Sequence, residues 1–155
     1  MRMQRRTILK GALAGSAVSV AISAGLLTPQ RVLAAWPKEA FEAKAADDAL
    51  KALGLTGAVA STDITVKAPD IAENGAVVPV TVETTLKDLQ SITLVAEKNP
   101  VPLLASFDLG AGAEGYVSTR IKMGTTQDVR AIVKAGGKVL EARKEVKVTI
   151  GGCGG

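Results

Sequence analysis

Hydrophobic residues fall into two rhythms along this chain. From Trp36 to Leu53 they recur at helical spacing, through Phe41, Ala45, Ala49 (or Leu50) and Leu53. Pro37 suits a first helical turn, and Gly54 stands where a C-cap glycine belongs. The pattern predicts one helix over 36–53 that docks on the main body through Trp36 and Phe41. From Asp63 onward the rhythm shortens to an alternation of two, the period of a strand. Strands are predicted at Ile64–Ala68, Val77–Thr84, Ser91–Glu97, Leu103–Leu109, Gly115–Met123, Gln127–Lys134 and Lys138–Ile150. In the third, Ile92, Leu94 and Ala96 share one face. Pro79 cannot donate a ladder hydrogen bond, so its strand is expected at a sheet edge or with a bulge. The last two strands flank Ala135-Gly136-Gly137, a hairpin signal. About seven short strands with turns between them predict a mainly β fold, an immunoglobulin-like β-sandwich preceded by a helix.

The first 34 residues follow neither rhythm. Arg5-Arg6-Thr7-Ile8-Leu9-Lys10 is a twin-arginine motif, with Ile8 where Phe is commoner. An apolar stretch from about Gly11 to Leu27 follows, and Val32-Leu33-Ala34 places small residues for cleavage after Ala34. Residues 1–34 therefore read as an export signal, 35–150 as the folded domain and 151–155 as an arm. The expected destination is the periplasm, reached in the folded state, with no stable membrane association after cleavage.

This division changes the meaning of the charge. The whole chain carries a formal +4, yet the signal holds Arg2, Arg5, Arg6, Lys10 and Arg31 and no acidic residue. Its removal leaves 14 basic against 15 acidic residues. The mature part has no basic run and few aromatics, which argues against nucleic-acid binding. Twin-arginine export of a folded protein implies an inserted cofactor or a partner bound beforehand. With no His and one Cys, the sequence offers no metal site, so a partner that travels along is the expectation and no cofactor is.

The same composition limits catalysis. Without His there is no Ser-His-Asp or Cys-His machinery, and neither a P-loop nor a G-x-G-x-x-G is present. Asp47-Asp48 are adjacent and point to different faces of a helix. An enzyme is not expected. What remains is Gly151-Gly152-Cys153-Gly154-Gly155, which places the single cysteine on a flexible arm. At ~3.3–3.6 Å per extended residue, Cys153 reaches roughly 10 Å beyond Ile150. Glycines without side chains suit a narrow channel. No cation adjoins Cys153 in sequence, so its thiol is expected to rely on partner enzymes for activation. The pattern fits a covalent carrier thiol. Its alternatives are an exported binding module cross-linked to a partner through Cys153, and a thiocarboxylate carrier ending in Gly154-Gly155.

The twin-arginine signal, the segment Ala35-Trp36-Pro37-Lys38-Glu39-Ala40-Phe41-Glu42-Ala43-Lys44, the Val/Ala-rich β domain and the terminal Gly-Gly-Cys-Gly-Gly together resemble the SoxY family. The resemblance implies the sulfur-carrier subunit of a thiosulfate-oxidising system, with sulfur attached to Cys153 and an arm of Gly151, Gly152, Gly154 and Gly155. It implies a heterodimer with a SoxZ-like subunit. It also implies turnover by a Sox c-type cytochrome, a sulfate-releasing hydrolase and, where present, a sulfane dehydrogenase.

Overall fold

The computed structural model describes residues 37–151. The export motif with Arg5 and Arg6, Trp36, and Gly152, Cys153, Gly154 and Gly155 lie outside the described residues.

The helix predicted over 36–53 is two helices, α1 (Lys38–Glu42) and α2 (Ala46–Ala52). Ala43 (ψ 139°) and Ala45 (φ −114°, ψ 142°) are extended between them. Alanine's helix propensity favours continuity here, so packing decides against it. An unbroken helix would align Phe41, Ala45 and Ala49. The break instead buries Ala40, Ala46, Ala49 and Leu50 and leaves Ala45 in solvent. Each short piece can then lie flat on the sheet below. Gly54 does end α2, at φ +66°. Its N–H donates to the Lys51 carbonyl (3.0 Å) and that of Leu55 to the Leu50 carbonyl (2.8 Å), the Schellman pattern, with Leu50 and Leu55 both buried.

Nine strands form two sheets among the described residues. They are β1 (Val59–Ala60), β2 (Ile64–Lys67), β3 (Ile71–Ala72), β4 (Val78–Thr84), β5 (Leu89–Val95), β6 (Leu103–Asp108), β7 (Tyr116–Ile121), β8 (Gln127–Ala135) and β9 (Lys138–Val148). The larger sheet runs β1-β9-β8-β5-β6, with β3 also on β9; the smaller runs β2-β4-β7. The β8–β9 hairpin turns at Gly136 (φ +54°) and Gly137 (φ +75°), a left-handed pair that matches strand twist. Two departures from expectation concern the small elements. The strands β1 and β3 each have two residues and lie parallel on β9, too short for an alternation to announce them. The Pro79 strand is not an edge, because β4 lies between β2 and β7. Lys67 pairs with Thr81, however, so β2 ends before Pro79 and requires no donor from it.

The inter-sheet core joins Ile92 and Leu94 of β5 and Val129, Ala131 and Val133 of β8 to Val78, Val80 and Val82 of β4 and Val117 and Ile121 of β7. Ile92 and Leu94 do share a face, as expected. The opposite face of β5 is covered as well, since Val95 packs with Leu103, Ile132 and the helix residues Ala49 and Leu50. The molecule is thus an immunoglobulin-like sandwich with a helical layer outside its larger sheet.

Beside that layer the larger sheet carries a charged cluster. Glu141 accepts from Arg130 Nη2 (2.7 Å) and Nε (3.2 Å), and from Arg143 Nη2 (2.7 Å) and Nε (3.1 Å). Arg130 also pairs with Glu97. Burial alone would raise the Glu141 carboxyl, but the hydrogen bonds and charges of Arg130 and Arg143 outweigh it and hold the group below its ordinary value.

Leu94→Ala removes a fully buried side chain and should cost about 2–5 kcal/mol in urea unfolding. The depressed Glu141 carboxyl contributes stability that is complete above the ordinary glutamate range and is lost as pH falls through the depressed value. Glu141→Gln should therefore be less stable than wild type at neutral pH and decline less on acidification. Parallel acid limbs in urea melts between pH 3 and 7 would contradict this.

Candidate functional site at the root of the arm

The strand β9 is followed in sequence by the terminal glycines, so its last residues are the root of the arm expected from the sequence. Val146 is fully buried, Val148 is half-buried, and Thr149, Ile150 and Gly151 are exposed. Val148 still packs against the inter-sheet core, so apolar packing lasts to the end of the strand, and beyond it polar contacts hold Thr149 and Ile150.

Those contacts come from two sides. On one, residues 70–75 run alongside β9. The Asp70 carbonyl accepts from the Lys147 N–H (3.0 Å), and that of Ala72 from the Thr149 N–H (3.1 Å). The Thr149 hydroxyl donates to the Glu73 carbonyl (3.0 Å). The Gly75 N–H donates to the Ile150 carbonyl (2.7 Å), while its own carbonyl accepts from the N–H of buried Met123 (2.7 Å). An ion pair joins Asp70 to Lys144. The Lys144 hydrogen bond and charge, with a further contribution from Lys147, hold the Asp70 carboxyl below its ordinary value.

On the other side, the loop after β7 leans on the root. The Thr126 hydroxyl accepts from the Val148 N–H (2.9 Å). A Cβ on Gly151 would stand 2.3 Å from the Gly124 carbonyl oxygen, closer than any side chain could be accommodated. The close approach of the Gly124 carbonyl thus requires glycine at position 151 in this conformation, in addition to the arm role read in the sequence.

A buried amide pair fixes that loop. Asn99 Nδ2 donates to the Lys122 carbonyl (2.7 Å), and its Oδ1 accepts from the Gly124 N–H (3.0 Å) and from Gln127 Nε2 (3.0 Å). Gln127 Oε1 accepts from the Lys98 N–H (2.7 Å). Two side chains thereby tie the β5–β6 loop to the β7–β8 loop at the end where the arm departs. Because both amides are buried, leaving either unpaired would cost about 1–3 kcal/mol.

Of the arm, sulfur-attachment and export-motif residues named from the sequence, the described part contains Gly151 alone. Sequence reasoning missed Asn99, Gly124, Thr126, Gln127 and Thr149. None of them carried a motif.

The chemistry at this root is that of a support. Among the described residues no group of three or more His, Cys, Asp or Glu is placed to hold a metal ion, and no helix is long and apolar enough to cross a membrane. A cleft of about 750 Å³ opens at the opposite end of the sandwich, between residues 84–90 and 110–115. A second, of about 400 Å³, adjoins the charged cluster at Glu97, Arg130 and Arg143. In the second, Arg130 and Arg143 are already bonded to Glu97 and Glu141.

Comparison with known proteins agrees with this architecture. The structure of the sulfur carrier protein SoxY from Chlorobium limicola f thiosulfatophilum matches with 42% sequence identity and a TM-score of 0.59. The match covers 66% of this chain and 96% of that one. A variant of the superoxide reductase (neelaredoxin) from Ignicoccus hospitalis matches with 22% identity and a TM-score of 0.50, over 63% of this chain and 86% of that one. At that identity the likeness is one of fold alone. A comparison with curated proteins finds no match. The family described as sulfur oxidation protein SoxY matches residues 50–153, from within α2 through β9 to the arm cysteine. On that extent of match, this chain belongs to the SoxY family of sulfur carrier proteins.

Proposed function

We propose that this protein carries sulfur covalently on Cys153, in the periplasm, as the carrier subunit of a thiosulfate-oxidising system. The observation that carries the reading is that the family match runs to Cys153, five residues along the chain from the end of β9, where Thr149 and Ile150 are hydrogen-bonded to the body. A carrier needs a defined base, a free thiol and no catalytic constellation of its own. The base is on the described part of the chain, and the sequence supplies the thiol.

In the proposed cycle the Cys153 sulfur and the outer sulfur of thiosulfate become bonded. An electron pair leaves to the haem of a Sox c-type cytochrome and the thiol proton leaves to solvent. The product is a cysteine S-thiosulfonate. Water then cleaves the bond to the sulfonate group in a hydrolase, which releases sulfate and protons and leaves a persulfide on Cys153. Where a sulfane dehydrogenase operates, it oxidises that terminal sulfur to a sulfonate with water as oxygen source and takes up the electrons. A second hydrolysis returns the thiol. The protein itself supplies attachment and presentation, and the partner enzymes supply the chemistry.

Export is proposed through the twin-arginine motif at Arg5 and Arg6, in the folded state and together with a SoxZ-like subunit. Exposed Val59, Ile71, Val77, Val101, Tyr116 and Ile150 give the domain apolar surface that a subunit could cover.

Intact mass of the protein from the periplasm of thiosulfate-fed cells should show loss of residues 1–34 and a reductant-sensitive addition at Cys153 that matches sulfane or thiosulfonate sulfur. Cys153→Ser should fold normally and abolish thiosulfate-dependent turnover with reconstituted Sox enzymes. A bare thiol, or only a protein–protein disulfide, together with full turnover by Cys153→Ser, would favour the cross-linked binding module. Co-expressed with a SoxZ-like subunit, the mature chain should elute as a heterodimer on sizing and self-associate without it; a well-behaved monomer in the absence of that subunit would count against an obligate pair.

A further inference from the structure

We infer that Thr149 is a positioning residue that sets where the arm begins and hence how far Cys153 reaches. The inference rests on the carrier reading above, but its first readouts do not require it. Val148, partly buried, is the last residue of β9 packed against the inter-sheet core, so beyond it the chain has little apolar packing to hold it. Thr149 supplies two of the contacts that take over, its N–H to Ala72 and its hydroxyl to Glu73. The next contact, from Gly75 to Ile150, depends on residues 72–75 staying beside β9.

Local opening is easiest where buried contacts are few and backbone hydrogen bonds are exposed. Thr149 and Ile150 meet both conditions, and Gly151 follows them, held only by its contact with the Gly124 carbonyl. If they leave the body, three residues join the arm, and at ~3.3–3.6 Å each the reach of Cys153 grows by roughly 10 Å. An arm that enters a channel must match its depth, and a longer flexible arm also populates the inserted position less. The Thr149 hydroxyl works against that opening. On the other side of β9, the Thr126 hydroxyl holds the Val148 N–H and keeps the strand in place up to the point of departure.

The test uses the mature chain with its partner subunit and compares Thr149→Val, which keeps the β-branched shape without the hydroxyl, with Thr149→Ser, which keeps the hydroxyl. In Thr149→Val the amides of Thr149 and Gly75 should exchange roughly 3- to 10-fold faster, the range that one net hydrogen bond supplies. A nitroxide on Cys153 should give a narrower, more mobile spectrum. Thr149→Ser should match wild type in both. In reconstituted turnover, removal of Gly152 should slow the wild-type arm several-fold and slow the Thr149→Val arm less, because the released root restores length. Unchanged exchange and spectra in Thr149→Val would overturn the inference, whatever the thiol does. Looser exchange with an equal penalty for Gly152 removal in both backgrounds would overturn it too. Full turnover by Cys153→Ser would instead sink the carrier reading, and exchange and spectra would still decide whether Thr149 holds the root.

Discussion

The pairing of β9 with its neighbours is the interaction on which the rest of this structure depends. One edge of β9 bonds to the whole length of β8, from Ala135↔Lys138 to Gln127↔Val146. The other edge takes β1 at Leu140 and β3 at Lys147. Each of those two-residue strands is too short to be stable alone and exists because β9 offers an unpaired edge. The order of pairing puts the chain's longest strand inside the larger sheet and directs its end out of the sandwich. A terminal group carried on an edge strand or a loose tail would have no such fixed origin.

Along β9 the source of stability changes. Near Leu140, Ala142, Val146 and Val148 it is the inter-sheet core, around Glu141 it is ionic, and past Val148 it is a set of hydrogen bonds to loops. The three regimes respond to different conditions. The core segment follows temperature and denaturant, and the ionic segment weakens when Glu141 is protonated. The last segment is governed by backbone geometry in residues 70–75 and 122–127, which in turn rests on the Asn99–Gln127 amide pair. The mobility of the root can therefore change without the fold changing.

How much of this the sequence disclosed depended on how local each feature is. Strands β2 and β4–β9 were legible because their content of Val, Ile and Leu, alternating where one face is buried and in runs where both are, as in β5 and β8, is a property of each segment by itself. The helix break at Ala43–Ala45 was not, because alanine fits either conformation and the choice depends on the sheet beneath. Pro79 misled for a similar reason, since its place in a central strand is tolerated only because β2 stops at Lys67. The cysteine on its glycine arm was conspicuous by composition. The support around its root was not, because Asn99, Gln127, Thr126 and Thr149 lie on separate segments and acquire a common purpose only when the sheets bring the loops to one end.

The glycines before Cys153 show the limit most sharply. In sequence Gly151 and Gly152 are indistinguishable, and both read as slack. In the structure Gly151 abuts the Gly124 carbonyl at a distance no Cβ could share. Its lack of a side chain serves contact with the body, whatever freedom the sequence also gives it. On the proposed carrier reading, the length that matters for reach is counted from that contact. Two sequences with the same number of terminal glycines would present a thiol at different depths if one of them lacked a Gly124-like carbonyl to seat the first. Reach in such a carrier is thus a property of the folded end of the sandwich as much as of the tail.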